Sequence, residues 1–507
     1  MKLLTKAGKR IRVLKHGPKK LRVAVAVIVL SNFVIPLALF WYNYSPLQLV
    51  LAMILLDVCL YPTFRYLSRR ETGLPVAPVL CMSFAVQYAL PIFTQEPKVV
   101  LASEDVRYLE DNQVVLALLM SIMGVCLFQV VYYLIKRPEI LKAISPVKLH
   151  LNRRTAEMFC VAVFIVSLLA GRFRSFLPED SASQFNAVVG LVQNQLLVVI
   201  VILAWLASSG QKEKRHLIML YFVVAVAALR GFSTTMMELM MVPLAVLLMA
   251  RWAYTRKLPV GSLALIALAF LFFSPVKMNI RSTVRDDSQG PTVEQVQNRA
   301  SDWINESSRF WQEVFEGKRS LVESTADASS RTDLIHSFAH IYSFTPSIVP
   351  YQYGATYSYL TVAWIPRAIW PEKPIANYAN NFYAVEYGIS TEEGVKTSSF
   401  GATLMGEGFI NFGVVGVAVV MIVLGLAISL MERVFGSEKS GVGGQAVFLA
   451  VFVYFLNGIG TSAELLFGGL VQNLVCGALI IALAKGATSI VRLPKRSLAP
   501  PQLPNES

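Results

Sequence analysis

Charge is what this sequence is short of. Only 15% of its 507 residues are Asp, Glu, Lys or Arg, where a soluble globular chain carries roughly a quarter. That excludes a string of soluble domains. Histidine and cysteine are scarce too, with five of each. Cys59, Cys81, Cys126, Cys160 and Cys476 all fall in apolar stretches and form no CxxC pair. This excludes a disulfide framework and a cysteine-based metal or redox centre. No Walker loop, dinucleotide fingerprint or GxSxG turn occurs in a strand–turn–helix context, so nucleotide-driven and serine-hydrolase chemistry have no support. No internal repeat is evident, which weakens an inverted-repeat transporter.

Long hydrophobic runs stand in their place. Hydrophobic residues make up 55% of the chain, in blocks of roughly 15–23, enough to cross a bilayer core of ~30 Å. Lipid offers no partner to backbone amides, so each block reads as a helix. Twelve spans are expected: Arg22–Trp41, Pro46–Tyr61, Val76–Phe93, Gln113–Ile135, Thr155–Arg172, Phe185–Ala207, Leu217–Leu229, Thr234–Trp252, Leu258–Ser274, Phe409–Leu430, Val442–Leu456 and Leu465–Leu483. The fold class is an all-α polytopic membrane protein.

The net charge of +14 raises nucleic acid as a partner, but its distribution argues for membrane lipid instead. With the N-terminus inside, alternate loops hold thirty of the 46 Lys and Arg, beginning with nine in Met1–Arg22. The short outer loops are almost free of them. This is the positive-inside pattern, and the basic N-terminus then orients the chain and attracts anionic lipid. Five segments follow: a basic cytoplasmic arm (1–21), spans one to nine (22–274), a large outer loop (275–408), spans ten to twelve (409–484) and a Pro-containing disordered cytoplasmic tail (485–507).

A loop of about 130 residues, Pro275–Gly408, is long enough to be functional. Thr292–Phe315 has the spacing of an amphipathic helix, with Trp303 and Trp311 suited to the membrane interface. Arg331–Phe344 reads as a second helix, and Pro346–Pro374 as re-entrant or interfacial. His336 and His340 lie four apart on one helix face. They permit metal ligation, but no third ligand or HExxH supports it, and loop packing is the plainer reading.

Polar groups gather at the outer ends of the spans. Gln193, Asn194 and Gln195 interrupt the sixth, Arg230 follows the seventh, Glu238 lies inside the eighth, Arg281 follows the ninth, and Glu407 and Asn411 border the tenth. Ionisable groups at such depths mark sites by default. Glu238 has a simpler alternative, a neutralising pair with Arg230. An enzyme acting on a lipid-linked diphosphate needs cations at this surface, and arginine's planar fork suits phosphate oxygens. Arg230, Arg281, Arg331, Arg367 and Lys373 fit that place and chemistry.

The run Thr345-Pro346-Ser347-Ile348-Val349-Pro350-Tyr351 leads to Ile365-Pro366-Arg367-Ala368-Ile369-Trp370-Pro371-Glu372-Lys373-Pro374 and to Gly406-Glu407-Gly408-Phe409-Ile410-Asn411-Phe412-Gly413. Together with Leu229-Arg230-Gly231 and the layout of spans and loop, it resembles the Wzy-type polymerases of O-antigen and exopolysaccharide repeat units. The match covers Arg331–Gly416, and the PR-x-x-W-P-x-K-P run is its most specific part. An Arg-x10-Gly motif found in some members is absent from the outer loops; Arg433 to Gly444 has the spacing but lies on the expected inner side.

The resemblance implies a GT-C-like membrane glycosyltransferase of the bacterial inner membrane, with both termini cytoplasmic and the large loop periplasmic. It implies undecaprenyl-diphosphate-linked oligosaccharides as donor and acceptor, a chain-length regulator and a flippase as partners, and no cofactor, metal or nucleic acid. Arg367 would stabilise the departing diphosphate, with Arg230, Arg281, Arg331 and Lys373 beside it. Glu407 would deprotonate the acceptor hydroxyl, or else serve only as an acid at a helix start. Trp370 would shape the loop or stack on a sugar, and Asn411 would bind substrate. The competing expectations are an O-antigen ligase-like transferase, a transporter or flippase, and an assembly subunit. Reporter fusions at Ser320 and Gly441 are expected to report opposite sides of the membrane; the same side at both positions refutes this layout.

Overall fold

The computed structural model describes residues 44–68, 73–137, 144–174, 179–208, 214–233, 237–255, 260–277, 280, 293–320, 332–363, 365, 370, 372–373, 377–396 and 400–491. The basic arm and the first expected span, Arg22–Trp41, lie outside the described residues. Before the large loop come α1 (Pro46–Leu67), α2 (Val76–Phe84), α3 (Asp111–Ile135), α4 (Arg153–Arg174), α5 (Glu179–Ser208), α6 (Lys214–Ser233), α7 (Met237–Thr255) and α8 (Val260–Phe273). A π-turn over Ala85–Ala89 and a turn at Pro91–Thr94 prolong α2. The loop carries α9 (Val293–Phe315), α10 (Ile335–Phe344), the single turn α11 (Leu360–Ala363) and α12 (Tyr378–Glu386). The chain ends on α13 (Leu404–Met431), α14 (Gly441–Asn457) and α15 (Ala463–Val491). Among the described residues the one sheet is an antiparallel hairpin of β1 (Lys98–Val100) and β2 (Val106–Tyr108).

Eleven of the twelve expected spans fall on these helices. Six stretches are long and apolar enough to cross a membrane: Pro46–Leu67, Asp111–Ile135, Val188–Ser208, Leu404–Gly436, Glu438–Leu456 and Ala463–Gly486. Val76–Ala89, Leu239–Thr255 and Val260–Phe273 are apolar but shorter. The protein is thus a mostly helical chain with the composition of an all-α membrane protein. Several boundaries differ from the sequence reading, among them those of α1, which runs to Leu67, and α5, which begins at Glu179. α13 begins at Leu404, before the expected Phe409, so Glu407 lies within a helix. α15 runs on to Val491, through residues expected to begin the tail.

Helix starts follow local chemistry. Pro46 stands in the first turn of α1, and the Ser45 N–H donates to Gln48 Oε1 at 2.8 Å. The Glu110 N–H donates likewise to Gln113 Oε1 at 3.0 Å, with Asp111 in the first turn of α3. Each contact satisfies a donor that the helix itself leaves free.

α13 is not one helix. Phe412 (φ −141°, ψ 19°) and Gly413 (φ 60°, ψ −144°) break it into a short segment and a long one. The two segments then cross closely: a methyl group placed on Gly416 would come within 1.9 Å of the Gly408 carbonyl oxygen. Only glycine permits that approach, which accounts for the spacing Gly408–Gly413–Gly416. The break frees carbonyls that lipid cannot satisfy. The loop supplies the donors: Gln352 N–H bonds Ile410 O at 3.0 Å, and Tyr353 N–H bonds Asn411 O at 3.2 Å. At the opposite end of α13, buried Glu432 accepts from Lys136 Nζ at 2.9 Å and from the Tyr132 hydroxyl at 2.5 Å, joining α13 to α3.

Gly416→Val is expected to lower the melting temperature of detergent-solubilised protein, at a cost of roughly 1–3 kcal/mol or more for overpacking. Val415→Ala, at a side chain 68% exposed, should stay within about 0.5 kcal/mol. Equal melting of the two variants would remove the close crossing from the account.

Candidate functional site

Glu407 is fully buried on the short segment of α13. Its Oε1 accepts the Thr356 hydroxyl at 2.9 Å, and its Oε2 accepts the Ala463 N–H at 2.7 Å. Ala463 is the first residue of α15, so the carboxylate closes the N-terminus of that helix, where exposed N–H groups favour negative charge. Asn411, also buried, lies one turn on. Its Nδ2 donates to Thr356 Oγ1 at 2.7 Å and to Glu407 O at 2.8 Å, and its Oδ1 accepts the Gly354 N–H at 2.8 Å. Thr356 therefore accepts a hydrogen bond from Asn411 and donates one to Glu407. The Tyr357 phenol beside them is pushed well above its usual range, first by burial and then by the Glu407 charge.

A second carboxylate adjoins the first. Glu464 is 1% exposed and accepts the Ala379 N–H at 3.4 Å through Oε1. Its Oε2 has no hydrogen-bond partner among the described residues. Asn380 ties the same corner, its Oδ1 accepting the Ala402 N–H at 3.1 Å. The sequence reading passed over Glu464, Thr356 and Asn380. Glu464 did carry a signal, an acid within Ser462-Ala463-Glu464 at the edge of an apolar run. Thr356 and Asn380 carried none, because they act through residues far off in sequence.

Lys373 is 7% exposed. Its ammonium donates to the carbonyls of Ala363 at 2.7 Å and Ile365 at 2.9 Å, at the C-terminal end of α11. A cation suits the negative end of a helix, and Gln472 of α15 reaches the same Ala363 carbonyl at 3.4 Å. Lys373 thus fastens the loop motif to the end of α11, which Gln472 joins to α15. Trp370 of the same motif is 38% exposed. Arg281, Arg331 and Arg367 lie outside the described residues.

Arg230 stands in the last turn of α6 and donates to Gln193 of α5. The two line a cavity of about 60 Å³ with Asn194, Leu239, Pro243 and Tyr454. Asn194 Nδ2 donates to Asn473 Oδ1 at 3.1 Å, and Asn473 Nδ2 to Gly469 O at 2.8 Å. A chain of amides therefore leads from Arg230 through α5 into α15. Polar side chains survive among apolar helices only when they find one another. The Glu238 side chain, the other expected partner of Arg230, lies outside the described residues.

The structure brings Glu407 and Asn411 together, sets Arg230 in a separate amide cluster, and gives Lys373 backbone partners. The two loop histidines are packing residues. His336 Nδ1 meets Asp333 Oδ2 at 2.5 Å and its Nε2 meets the Tyr44 hydroxyl at 2.8 Å. His340 Nε2 bonds Tyr387 O at 2.9 Å. Burial holds the His340 imidazole below its ordinary value; the bond to Tyr387 opposes this and the Arg107 charge adds to it. Among the described residues no three His, Cys, Asp or Glu side chains come together as a metal site.

A family model described as a domain of unknown function (DUF8712) matches residues 138–492. No curated protein and no solved structure matches the chain.

Glu407→Ala would strand the Ala463 N–H and the Thr356 hydroxyl in a buried place, each at about 1–3 kcal/mol. It is expected to lower the melting temperature by several degrees, and Thr356→Val by less. Thr356→Ser, which keeps the hydroxyl, should melt close to wild type. Unchanged melting of Glu407→Ala would show that the carboxylate does not tie the helices.

Proposed function

We propose that this chain, which belongs to the DUF8712 family, is a membrane glycosyltransferase joining undecaprenyl-diphosphate-linked oligosaccharide repeat units into O-antigen or exopolysaccharide. The reading takes with it twelve spans at the bacterial inner membrane, cytoplasmic termini and a periplasmic loop. It also takes a chain-length regulator and a flippase as partners, and requires no cofactor.

The observation that carries it is the Arg230–Gln193–Asn194 cluster beside its cavity. A guanidinium held by an amide among apolar helices is aimed before any ligand arrives, and its planar fork matches phosphate oxygens. The transfer breaks the bond from the sugar anomeric carbon to the diphosphate oxygen. It forms a bond from that carbon to the acceptor hydroxyl oxygen. The diphosphate leaves with the electron pair, and the hydroxyl proton passes to a base. The donor carries a good leaving group, so the protein's task is to align two lipid-linked substrates and stabilise the departing charge. Arg230 takes the second task. Glu407 is fully buried and each of its oxygens accepts a hydrogen bond from the chain, and in this reading it positions the start of α15 and the Gly354–Thr356 turn. Arg281, Arg331 and Arg367 enter on sequence alone, and Trp370 offers an exposed ring to a sugar.

One observation favours a second reading, a transporter or flippase. The amide pair Asn194–Asn473 lies inside the bundle, where a transport path would need polar groups. A deletion strain separates the classes. Single repeat units on lipid A indicate a lost polymerase. Long polymer not joined to lipid A indicates a lost ligase, and absence of any repeat unit on lipid A indicates a lost flippase. Arg230→Ala is expected to reduce polymer formation ~10²–10³-fold at normal protein level, the scale of losing one transition-state donor. Arg230→Lys, which keeps the charge but not the fork, should also be impaired. Normal polymer length in Arg230→Ala would sink the assignment.

A further inference from the structure

We infer that α9 lies in the lipid interface on the loop side of the membrane, seated by Ile304, Trp311 and Phe315, while the stripe of Trp303 and Val314 packs on protein. The inference is independent of the proposed activity. At 3.6 residues per turn, α9 divides into three stripes. Trp303, Ser307, Phe310 and Val314 form the first. Trp303 is 2% and Val314 8% exposed. This stripe packs on protein: the Trp303 ring meets Phe273 of α8 edge-on at 5.9 Å, and Phe310 joins a cluster with Met240 and Val276. Of the two tryptophans expected at the interface, Trp303 is therefore already used by protein.

The second stripe is Ile304, Ser308, Trp311 and Phe315. Ile304 is 51% exposed and Phe315 85%, and no described residue covers the Phe315 ring. The third, Asp302, Glu306, Arg309 and Glu313, carries the charge and lies about 160° round the helix from the second. A helix with protein on one side, apolar side chains on the next and charge opposite them has the profile of an interfacial helix. Lipid is the occupant because α8, the helix on which α9 packs, is itself apolar and uncovered along its length. α8, to which α9 is fastened by Trp311 Nε1 donating to Phe272 O at 3.1 Å, has no buried residue. Leu265 and Leu268 of α8 are 68% and 63% exposed. The fourteen residues of α8 rise only about 21 Å, short of the ~30 Å hydrocarbon layer. Apolar surface at its loop end, where α9 lies across it, makes up that difference.

The test is spin labelling of single cysteines, I304C, F315C, E306C and E313C, in full-length protein in vesicles of phosphatidylethanolamine and phosphatidylglycerol. The signal from the native cysteines is subtracted using the parent protein. Labels at 304 and 315 are expected to collide with oxygen severalfold more than with a water-soluble nickel complex, and labels at 306 and 313 the reverse. Equal nickel access at all four positions would place the helix in water and overturn the inference. Shielding of 304 and 315 from both reagents would mean that protein, such as a second copy of this chain, covers the stripe, and would overturn it equally.

Discussion

A helix broken inside an apolar bundle must have its freed backbone groups satisfied by protein, and the loop end of this molecule is organised around one such break. At Phe412 and Gly413 the hydrogen-bond ladder of α13 stops. Gln352 and Tyr353 take up the carbonyls left behind, and Asn411 holds Gly354 beside them. One turn back, Glu407 joins the Thr356 hydroxyl to the first N–H of α15. The break thus draws the middle of the large loop, the start of α15 and the short segment of α13 into one hydrogen-bonded network. In low dielectric such a network is stable only when complete.

That constraint divides the polar residues by role. Glu407, Asn411 and Lys373 hydrogen-bond to the chain itself, Lys373 through the end of α11. They set where the loop sits on the bundle. Arg230 belongs to a different arrangement, in which helix side chains hold a cation beside a cavity.

Much of this was legible in the sequence, for identifiable reasons. Apolar blocks long enough to cross lipid announce helices without any tertiary information, and eleven of the twelve coincide with helices. The amphipathic α9 was visible from its spacing, though not which stripe would pack on protein, since that depends on where α8 and α7 lie. Gly408, Gly413 and Gly416 were noticed as part of a motif, but their reason was not: the need appears only when two segments of one helix cross. Glu407 is the sharpest case. An acid at the start of a span suggests a base or a helix-start acid, and its contacts to Ala463 and Thr356, 56 and 51 residues away in sequence, could not be read from the chain. Arg230 was legible as a cation where lipid disfavours one, whereas its partner Gln193 was seen only as an interruption in an apolar run.

The central claim is that the chain itself elongates lipid-linked oligosaccharide. Its most direct test uses purified protein in liposomes with undecaprenyl-diphosphate-linked repeat units, a metal chelator and no nucleotide. The account predicts a ladder of longer lipid-linked products, with free undecaprenyl diphosphate released in step. No elongation by active-folded wild-type protein, or a strict need for added metal or nucleotide, would contradict it.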